Sequence, residues 1–123
     1  MSKSDPNPVT INLHKLSRIL EISFDDGCHF ELSCEYLRVF SPSADVKGHG
    51  PDQAVLQTGK ENVSITEIEP VGNYAIKPHF DDGHQTGIYS WSYLYDMGKN
   101  KEQYWQDYIT ALQAAGYQRK PDD

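Results

Sequence analysis

Apolar and polar residues alternate along the first third of the chain, which is the period-two pattern of half-buried β-strands. Residues 10–14 read TINLH, residues 18–24 read RILEISF and residues 29–33 read HFELS. Between the last two stretches lies FDDG, which contains Asp26-Gly27. This pair favours a tight hairpin turn because glycine tolerates a positive φ. The pattern therefore predicts strands over these three stretches, with FDDG at a hairpin tip.

Helical spacing begins directly after the third strand. Residues 34–40, CEYLRVF, suit a short helix that Ser33 caps. Residues 101–115, KEQYWQDYITALQAA, carry the clearest amphipathic stripe, and Gly116 is a typical helix stop. Residues 88–97, IYSWSYLYDM, also have helical spacing but are equally rich in β-prone aromatics. We interpret this last segment as a helix, with a strand as the alternative.

The middle of the chain returns to strand-like patterns after a long loop. Residues 41–53 are dense in Ser, Pro, Asp and Gly and predict an irregular loop. Residues 62–69 alternate, and residues 74–80 predict a further strand with Pro78 at an edge or bulge. The fold class is therefore α+β: a small single domain with antiparallel sheets, a short helix after the first hairpin and a C-terminal helix. We expect a flexible tail over residues 1–8, the domain over 9–98, and the C-terminal helix and tail over 99–123.

Composition narrows the classes of function. The chain has 123 residues and a net charge of −7, which disfavours binding to nucleic acid or to an anionic membrane. No apolar run approaches the length of a signal peptide or a membrane span. We therefore expect a cytoplasmic protein in which Cys28 and Cys34 are reduced thiols.

Several side chains invite a chemical interpretation. FDDG occurs twice, and its acidic pairs Asp25-Asp26 and Asp81-Asp82 suit acid–base work or a hard cation. No EF-hand spacing follows either pair, so we interpret both copies as turns, and not as a repeat architecture. The histidines leave a mixed metal site open as an alternative, built from His49, His79, Asp82 and His84.

The sequence contains no recognised motif for nucleophilic catalysis. Ser41, Ser43, Cys28 and Cys34 are candidates by residue type, yet none lies in a recognised nucleophile setting. We therefore expect no enzyme activity. The aromatic run from Tyr89 to Tyr108 is too dense to be buried completely, so part of it is expected to form a contact surface.

Longer segments resemble one known family. LRVFSPSADVKGHGP and IEPVGNYAIKPHFDDGHQTGIYSWSYLY, with the N-terminal strand pattern, resemble the gamma-butyrobetaine hydroxylase-like N-terminal domain family. The resemblance covers roughly Pro8 to Gly98 and implies a stand-alone bacterial member. The family also occurs as a module of 2-oxoglutarate, iron-dependent oxygenases and fused to P-loop ATPases that act as iron–sulfur scaffolds. The resemblance implies a non-catalytic domain, because the oxygenase iron ligands lie in a domain that this chain lacks.

The resemblance also bears on metal binding. The family module in the oxygenases holds a structural zinc with three cysteines and one histidine. These positions fall on Ser41, Ser43, Val46 and His84 of this chain. Hydroxyl groups are poor zinc ligands, so we expect no zinc and no cofactor here. Instead, we expect His84 to hydrogen-bond within the segment from Ser41 to His49.

Two hypotheses follow. The first is a non-catalytic binding or adaptor module with an unidentified protein partner, linked by family analogy to iron–sulfur protein maturation or redox enzymes. Its predicted partner-binding residues are Arg38, Ser41, Ser43, His49, His84, Tyr89 and Trp91. The alternative is a zinc- or iron-binding protein with ligands His49, Asp82 and His84.

Overall fold

The computed structural model describes residues 6–43 and 56–119. Two three-stranded antiparallel sheets, each ordered as in the sequence, carry a short helix and two C-terminal helices. The first sheet contains β1 (Pro8–His14), β2 (Ile19–Phe24) and β3 (His29–Ser33), and α1 (Cys34–Val39) follows it. The second contains β4 (Ile65–Val71), β5 (Ala75–Phe80) and β6 (Tyr89–Ser90), followed by α2 (Trp91–Lys99) and α3 (Lys101–Ala114). The α+β prediction is confirmed.

One apolar core joins both sheets to the helices. The alternation on β2 buries Leu20, Ile22 and Phe24 almost completely, as the period-two pattern predicts. The helices contribute Leu37 from α1 and Leu94 from α2 to the same cluster. Because α3 also packs Tyr104 and Trp105 against this cluster, the C-terminal helix is part of the same core.

Element boundaries differ from the sequence-based prediction at three places. The last residues of the tail expected over residues 1–8 belong to the fold. β1 starts at Pro8, and the Asp25 amide donates a hydrogen bond to the Asn7 carbonyl at 2.8 Å. The strand expected over residues 62–69 starts only at Ile65. The segment 88–97 begins as β6 and becomes a helix at Trp91, because the Ser90 hydroxyl accepts the Tyr93 amide at 3.1 Å.

Both FDDG copies form the same turn. The Phe24 amide donates to the Cys28 carbonyl at 2.8 Å, and the Phe80 amide donates to the His84 carbonyl at 3.0 Å. In each copy the second aspartate accepts the amide two residues later, at 3.0 Å in the first and 3.1 Å in the second. Each glycine has a left-handed φ, 92° at Gly27 and 91° at Gly83, which explains why the turn needs glycine. The turn interpretation is confirmed for both copies.

The equivalence extends far beyond the turn. β1 and β4 both have seven residues, β2 and β5 both have six, and each pairing has a register irregularity at its start. The third strand of each sheet ends in a serine that caps the next helix, Ser33 for α1 and Ser90 for α2. The chain therefore contains two copies of a β-β-β-α unit, residues 7–40 and 64–97. Our expectation that the FDDG echo is no repeat is wrong. The sequence does indicate the duplication, because each FDDG is followed by S-x-x-Y-L, which begins at Ser33 in the first copy and at Ser90 in the second.

The two units hold each other through reciprocal contacts. The Tyr36 hydroxyl of α1 donates to the Met97 carbonyl of α2 at 2.7 Å, and the Tyr93 hydroxyl of α2 donates to the Phe40 carbonyl after α1. Reciprocity of this kind is characteristic of a two-fold interface. Burial raises the pKa of Tyr93 to about 12, so its hydroxyl stays a donor at neutral pH. The second unit is thus positioned by the first, and each completes the other's core.

Candidate functional site

The candidate site lies where the second FDDG turn meets α1. The Asp82 Oδ2 atom accepts bonds from Arg38 Nε at 2.9 Å and Lys60 Nζ at 2.6 Å, while Oδ1 accepts the His84 amide at 3.1 Å. The backbone of the turn is exposed, but the Asp82 side chain is only 22% exposed. Burial acts to raise the pKa of Asp82, yet the bonds from Lys60, the His84 amide and Arg38 lower it to about 2. Asp82 is therefore a fixed anion at neutral pH and not a proton-transfer group.

The first FDDG turn is braced in the same way by the opposite helix. Arg38 is the fifth residue of α1, and Tyr95 is the fifth residue of α2. The Tyr95 hydroxyl donates to Asp26 Oδ2 at 2.6 Å, which mirrors the bond from Arg38 to Asp82. This hydrogen bond lowers the pKa of Asp26. The first copy therefore does more than make a turn, since it anchors α2.

His84 joins the turn to the end of α1. Its Nε2 atom lies 2.9 Å from Ser41 Oγ, and the Ser43 amide donates to the same hydroxyl at 3.2 Å. The Ser43 hydroxyl in turn lies 2.7 Å from that of Thr86. The prediction that His84 bonds within the segment starting at Ser41 is confirmed. These contacts tie together the two stretches that share a zinc ion in the oxygenase modules of the family that the sequence resembles.

The residues present do not fit zinc at that position. The Ser41 side chain is fully buried, and its hydroxyl is already engaged by the His84 ring and the Ser43 amide. Gly87 packs so closely that a Cβ atom there would lie 2.3 Å from Ser41 Oγ. A serine hydroxyl is also a poor zinc ligand. The Val46 position lies outside the described residues.

The predicted partner-binding residues divide by burial. Trp91 is half-buried at the surface, and His49 lies outside the described residues. The other five are buried, namely Arg38, Ser41, Ser43, His84 and Tyr89. Burial leaves their side chains little area to present to a partner, so their contacts are with other parts of the same chain.

Tyr89 and Arg38 each place a polar group inside the protein. The Tyr89 hydroxyl donates to the Leu37 carbonyl inside the core, and burial raises the pKa of Tyr89 above its usual range. Arg38 is 7% exposed, and its Nη1 atom has no hydrogen-bond partner among residues 6–43 and 56–119. A buried donor left without a partner costs about 1–3 kcal/mol, and the ion pair of Arg38 with Asp82 opposes that cost.

The alternative His/Asp metal site is not assembled from its described members. His79 Nε2 bonds Glu69 Oε1 at 3.0 Å on the second sheet, whereas Asp82 and His84 point to the separate partners given above. Within residues 6–43 and 56–119, three side chains of types that can ligate a metal come together instead at Glu21, His29 and Glu31. The sequence pattern missed this cluster because its members lie on two different strands.

The nucleophile candidates are also engaged. Cys34 is buried, and burial raises the pKa of its thiol, which keeps it protonated. Cys28 is half-buried, with Sγ 3.5 Å from the Tyr95 hydroxyl. Both cysteines are free thiols, as expected.

An open apolar groove lies between the edge strands β1 and β4. Its volume is about 510 Å³. Its walls include Ile11 and Leu13 from β1, Ile68 and Pro70 from β4, and Trp91 from α2. The Trp91 ring is held by a bond from Nε1 to the Asn73 carbonyl at 2.8 Å. The alternating pattern of β1 places Ile11 and Leu13 on the face that points to the core. The way the two sheets pack leaves this part of that face open to solvent.

Comparison with known proteins agrees with the sequence resemblance. The family model described as gamma-butyrobetaine hydroxylase-like, N-terminal, matches residues 11–95. Two NMR solution structures are similar at TM-score 0.81, one 52% identical and one 45% identical; each match covers 98% of this chain, and 92% and 94% of theirs respectively. A crystal structure of a protein of unknown function from Acidithiobacillus ferrooxidans, of the DUF971 family, is 43% identical at TM-score 0.62, over 74% of this chain and 93% of that chain. No curated protein matches the chain. Among the described residues, no helix is long and apolar enough to cross a membrane.

Proposed function

The chain belongs to the gamma-butyrobetaine hydroxylase-like N-terminal family, and from this premise we propose that it is a non-catalytic module that binds a protein partner. The proposed binding surface is the groove between β1 and β4, beside Trp91. The occupant is an extended segment of the partner that carries apolar side chains. By analogy with the family, that partner belongs to iron–sulfur protein maturation or to the redox enzymes, and the module itself works in the cytoplasm.

The observation that carries the proposal is the contrast between the polar cluster and the groove. Asp82, His84 and Ser41 are held by one another or by Arg38 and Lys60, which leaves no described acid, base or nucleophile free among them. The groove, in contrast, is open, and six of its nine lining residues are apolar; the other three are Lys15, Thr66 and Glu67. Its volume lies within the ordinary range for ligand clefts, roughly 300–1,000 Å³.

The strand edges beside the groove favour an extended occupant. β1 and β4 are both at the edges of their sheets. β4 contains Pro70, which lacks an amide donor, while β1 has proline only at its first residue, Pro8. β1 is therefore the better template for an added strand. Such a strand would gain main-chain hydrogen bonds from β1 and would place alternate side chains over Trp91.

The experiment compares partner binding by matched variants. Ile68→Glu places a charge in the groove, and Ile88→Ser is the control, because Ile88 is 47% exposed and is not a wall residue. Proteins captured from extract by the wild type would be identified, purified and titrated calorimetrically against both variants. We expect Ile68→Glu to weaken binding at least tenfold and Ile88→Ser to leave it unchanged. Equal affinity for both variants would refute the groove as the binding surface.

A further inference from the structure

The solvent-facing side of the first sheet brings together two carboxylates and an imidazole. Glu21 lies on the central strand β2, directly opposite Glu31 on β3. His29 is two residues before Glu31, so it projects from the same face. One ligand atom from each of the three side chains lies within 4.8 Å of the other two.

Neighbouring polar groups hold these side chains in place. His29 Nε2 lies 3.0 Å from Glu21 Oε2, while the other ring nitrogen, Nδ1, lies 2.7 Å from Ser23 Oγ. His14 Nε2 lies 2.8 Å from Glu21 Oε1. A hydrogen bond on the far nitrogen of a histidine orients the ring and its tautomer, as outer-shell partners do in metal sites. Ser23 and His14 therefore fix the orientation of His29 and Glu21.

The corresponding position of the second sheet differs from that of the first in its charge. Counting from the register irregularity, the third residue pair between the edge strand and the central strand is Asn12 with Glu21 in the first sheet and Glu69 with Lys77 in the second. Glu21 and Lys77 therefore occupy corresponding positions of the two units. Lys77 Nζ lies 3.6 Å from Glu69 Oε1, so the second sheet carries its own cation at this place. The first sheet has Glu21 there instead, opposite a second carboxylate. Like charges directly opposite each other destabilise a sheet unless a cation compensates them.

We propose that Glu21, His29 and Glu31 form a binding site for a divalent transition-metal ion such as Zn²⁺. Two carboxylates and one imidazole make an oxygen- and nitrogen-donor set that suits zinc, with water completing the coordination. Metal–ligand bonds of about 2.1 Å require ligand atoms about 3.4 Å apart in a tetrahedron. His29 Nε2 and Glu21 Oε2 are already 3.0 Å apart, and the exposed Glu31 side chain reaches a similar distance from both by small rotations. His14 and Ser23 are positioning residues for the site.

Titration of Zn²⁺ alone into tag-free protein tests the proposal. Isothermal titration calorimetry should show one site per chain, and His29→Gln and Glu31→Gln should each weaken it at least tenfold. His79→Gln is the matched control, since His79 also pairs with a glutamate but has Lys77 nearby. Asp82→Asn separates this site from the alternative site at Asp82 and His84. Unchanged affinity in His29→Gln, or equal loss in His79→Gln, overturns the proposal.

A second measurement needs no variant. Imidazole nitrogen and carbon signals of the wild type, followed by NMR during the titration, identify which histidines meet the ion. We expect the His29 ring to respond first, together with its neighbour His14, and His79 and His84 to stay in place. A response confined to His84, or spread equally over all the histidines, would show that the ion binds elsewhere or without specificity, and the proposal would be wrong.

Discussion

Replacing Asp82 with asparagine removes one negative charge while keeping a side chain that can make the same turn. In the wild type the pKa of Asp82 falls from its ordinary 3.8 to about 2, despite the opposing effect of burial. Each unit of pKa difference corresponds to about 1.4 kcal/mol, so the ionised carboxylate stabilises the fold by about 2 kcal/mol at neutral pH. The side chain is 22% exposed, so solvent screening is limited. We expect Asp82→Asn to lose about 2 kcal/mol at pH 7, and somewhat more if Arg38 is left without a partner.

The pH dependence gives this prediction its sharper form. The folded-state pKa lies below the unfolded one, so the stabilisation is fully present above about pH 4 and disappears as the pH falls towards 2. Wild type and Asp82→Asn should therefore differ fully at pH 7, the difference should fall to about a third of that value by pH 2.5, and it should vanish only below about pH 2. Urea unfolding followed by circular dichroism measures both. With a urea m-value of about 1–3 kcal/mol per molar, the midpoint at pH 7 should fall by roughly 1–2 M.

Asp26→Asn is the matched control. Asp26 occupies the same position in the first FDDG turn, but its outer partner is the neutral Tyr95 hydroxyl at an exposed place. We expect a smaller loss of stability than for Asp82→Asn, because no cation is left unpaired. Equal losses for the two variants at pH 7, or a loss for Asp82→Asn that persists undiminished at pH 2.5, would show that the ion pairs with Arg38 and Lys60 do not carry the stabilisation.

Three further variants test the internal contacts by thermal unfolding. Ser41→Ala removes the buried partner of the His84 ring and should cost about 1–3 kcal/mol; no loss would mean that water or another group takes its place. Gly98→Ala should destabilise by about 1–3 kcal/mol, although alanine is the better helix former, because its Cβ would lie 2.4 Å from the Phe30 ring; a gain in stability would contradict the packing described. Arg119→Ala removes a bidentate partner from the buried Glu35 carboxylate and should cost about 2 kcal/mol, and a melting temperature equal to that of the wild type would show that the C-terminal contact is dispensable.

The sequence resemblance anticipated one tertiary contact. The positions of the family zinc ligands predicted that His84 would meet the segment starting at Ser41, and the bond between the two confirms it. Residue chemistry alone would not have paired them, because a hydroxyl and an imidazole far apart in the chain carry no signal of their proximity. The same resemblance did not indicate that the partner-binding candidates around His84 would be buried.

Local interactions explain which elements were predictable from the residues alone. The hairpin at Asp26-Gly27, the helix cap at Ser33 and the stop at Gly116 each depend on groups within a few positions of one another. The alternation on β2 likewise records which face meets the core, since a strand has only two faces. These features were legible because the forces that produce them act over a few residues.

The assembly of the two units was decided by tertiary packing. Asp82 meets Arg38, and Asp26 meets Tyr95, only because each helix crosses to the turn of the other unit. Both the groove and the cluster of Glu21 with His29 and Glu31 depend on which strands become neighbours and in what register. Strand order and register are set by the free energy of the whole core rather than by any short segment. The two FDDG turns and the S-x-x-Y-L that follows each of them are visible in the sequence, but the way in which the two units pack and brace each other's turns is not.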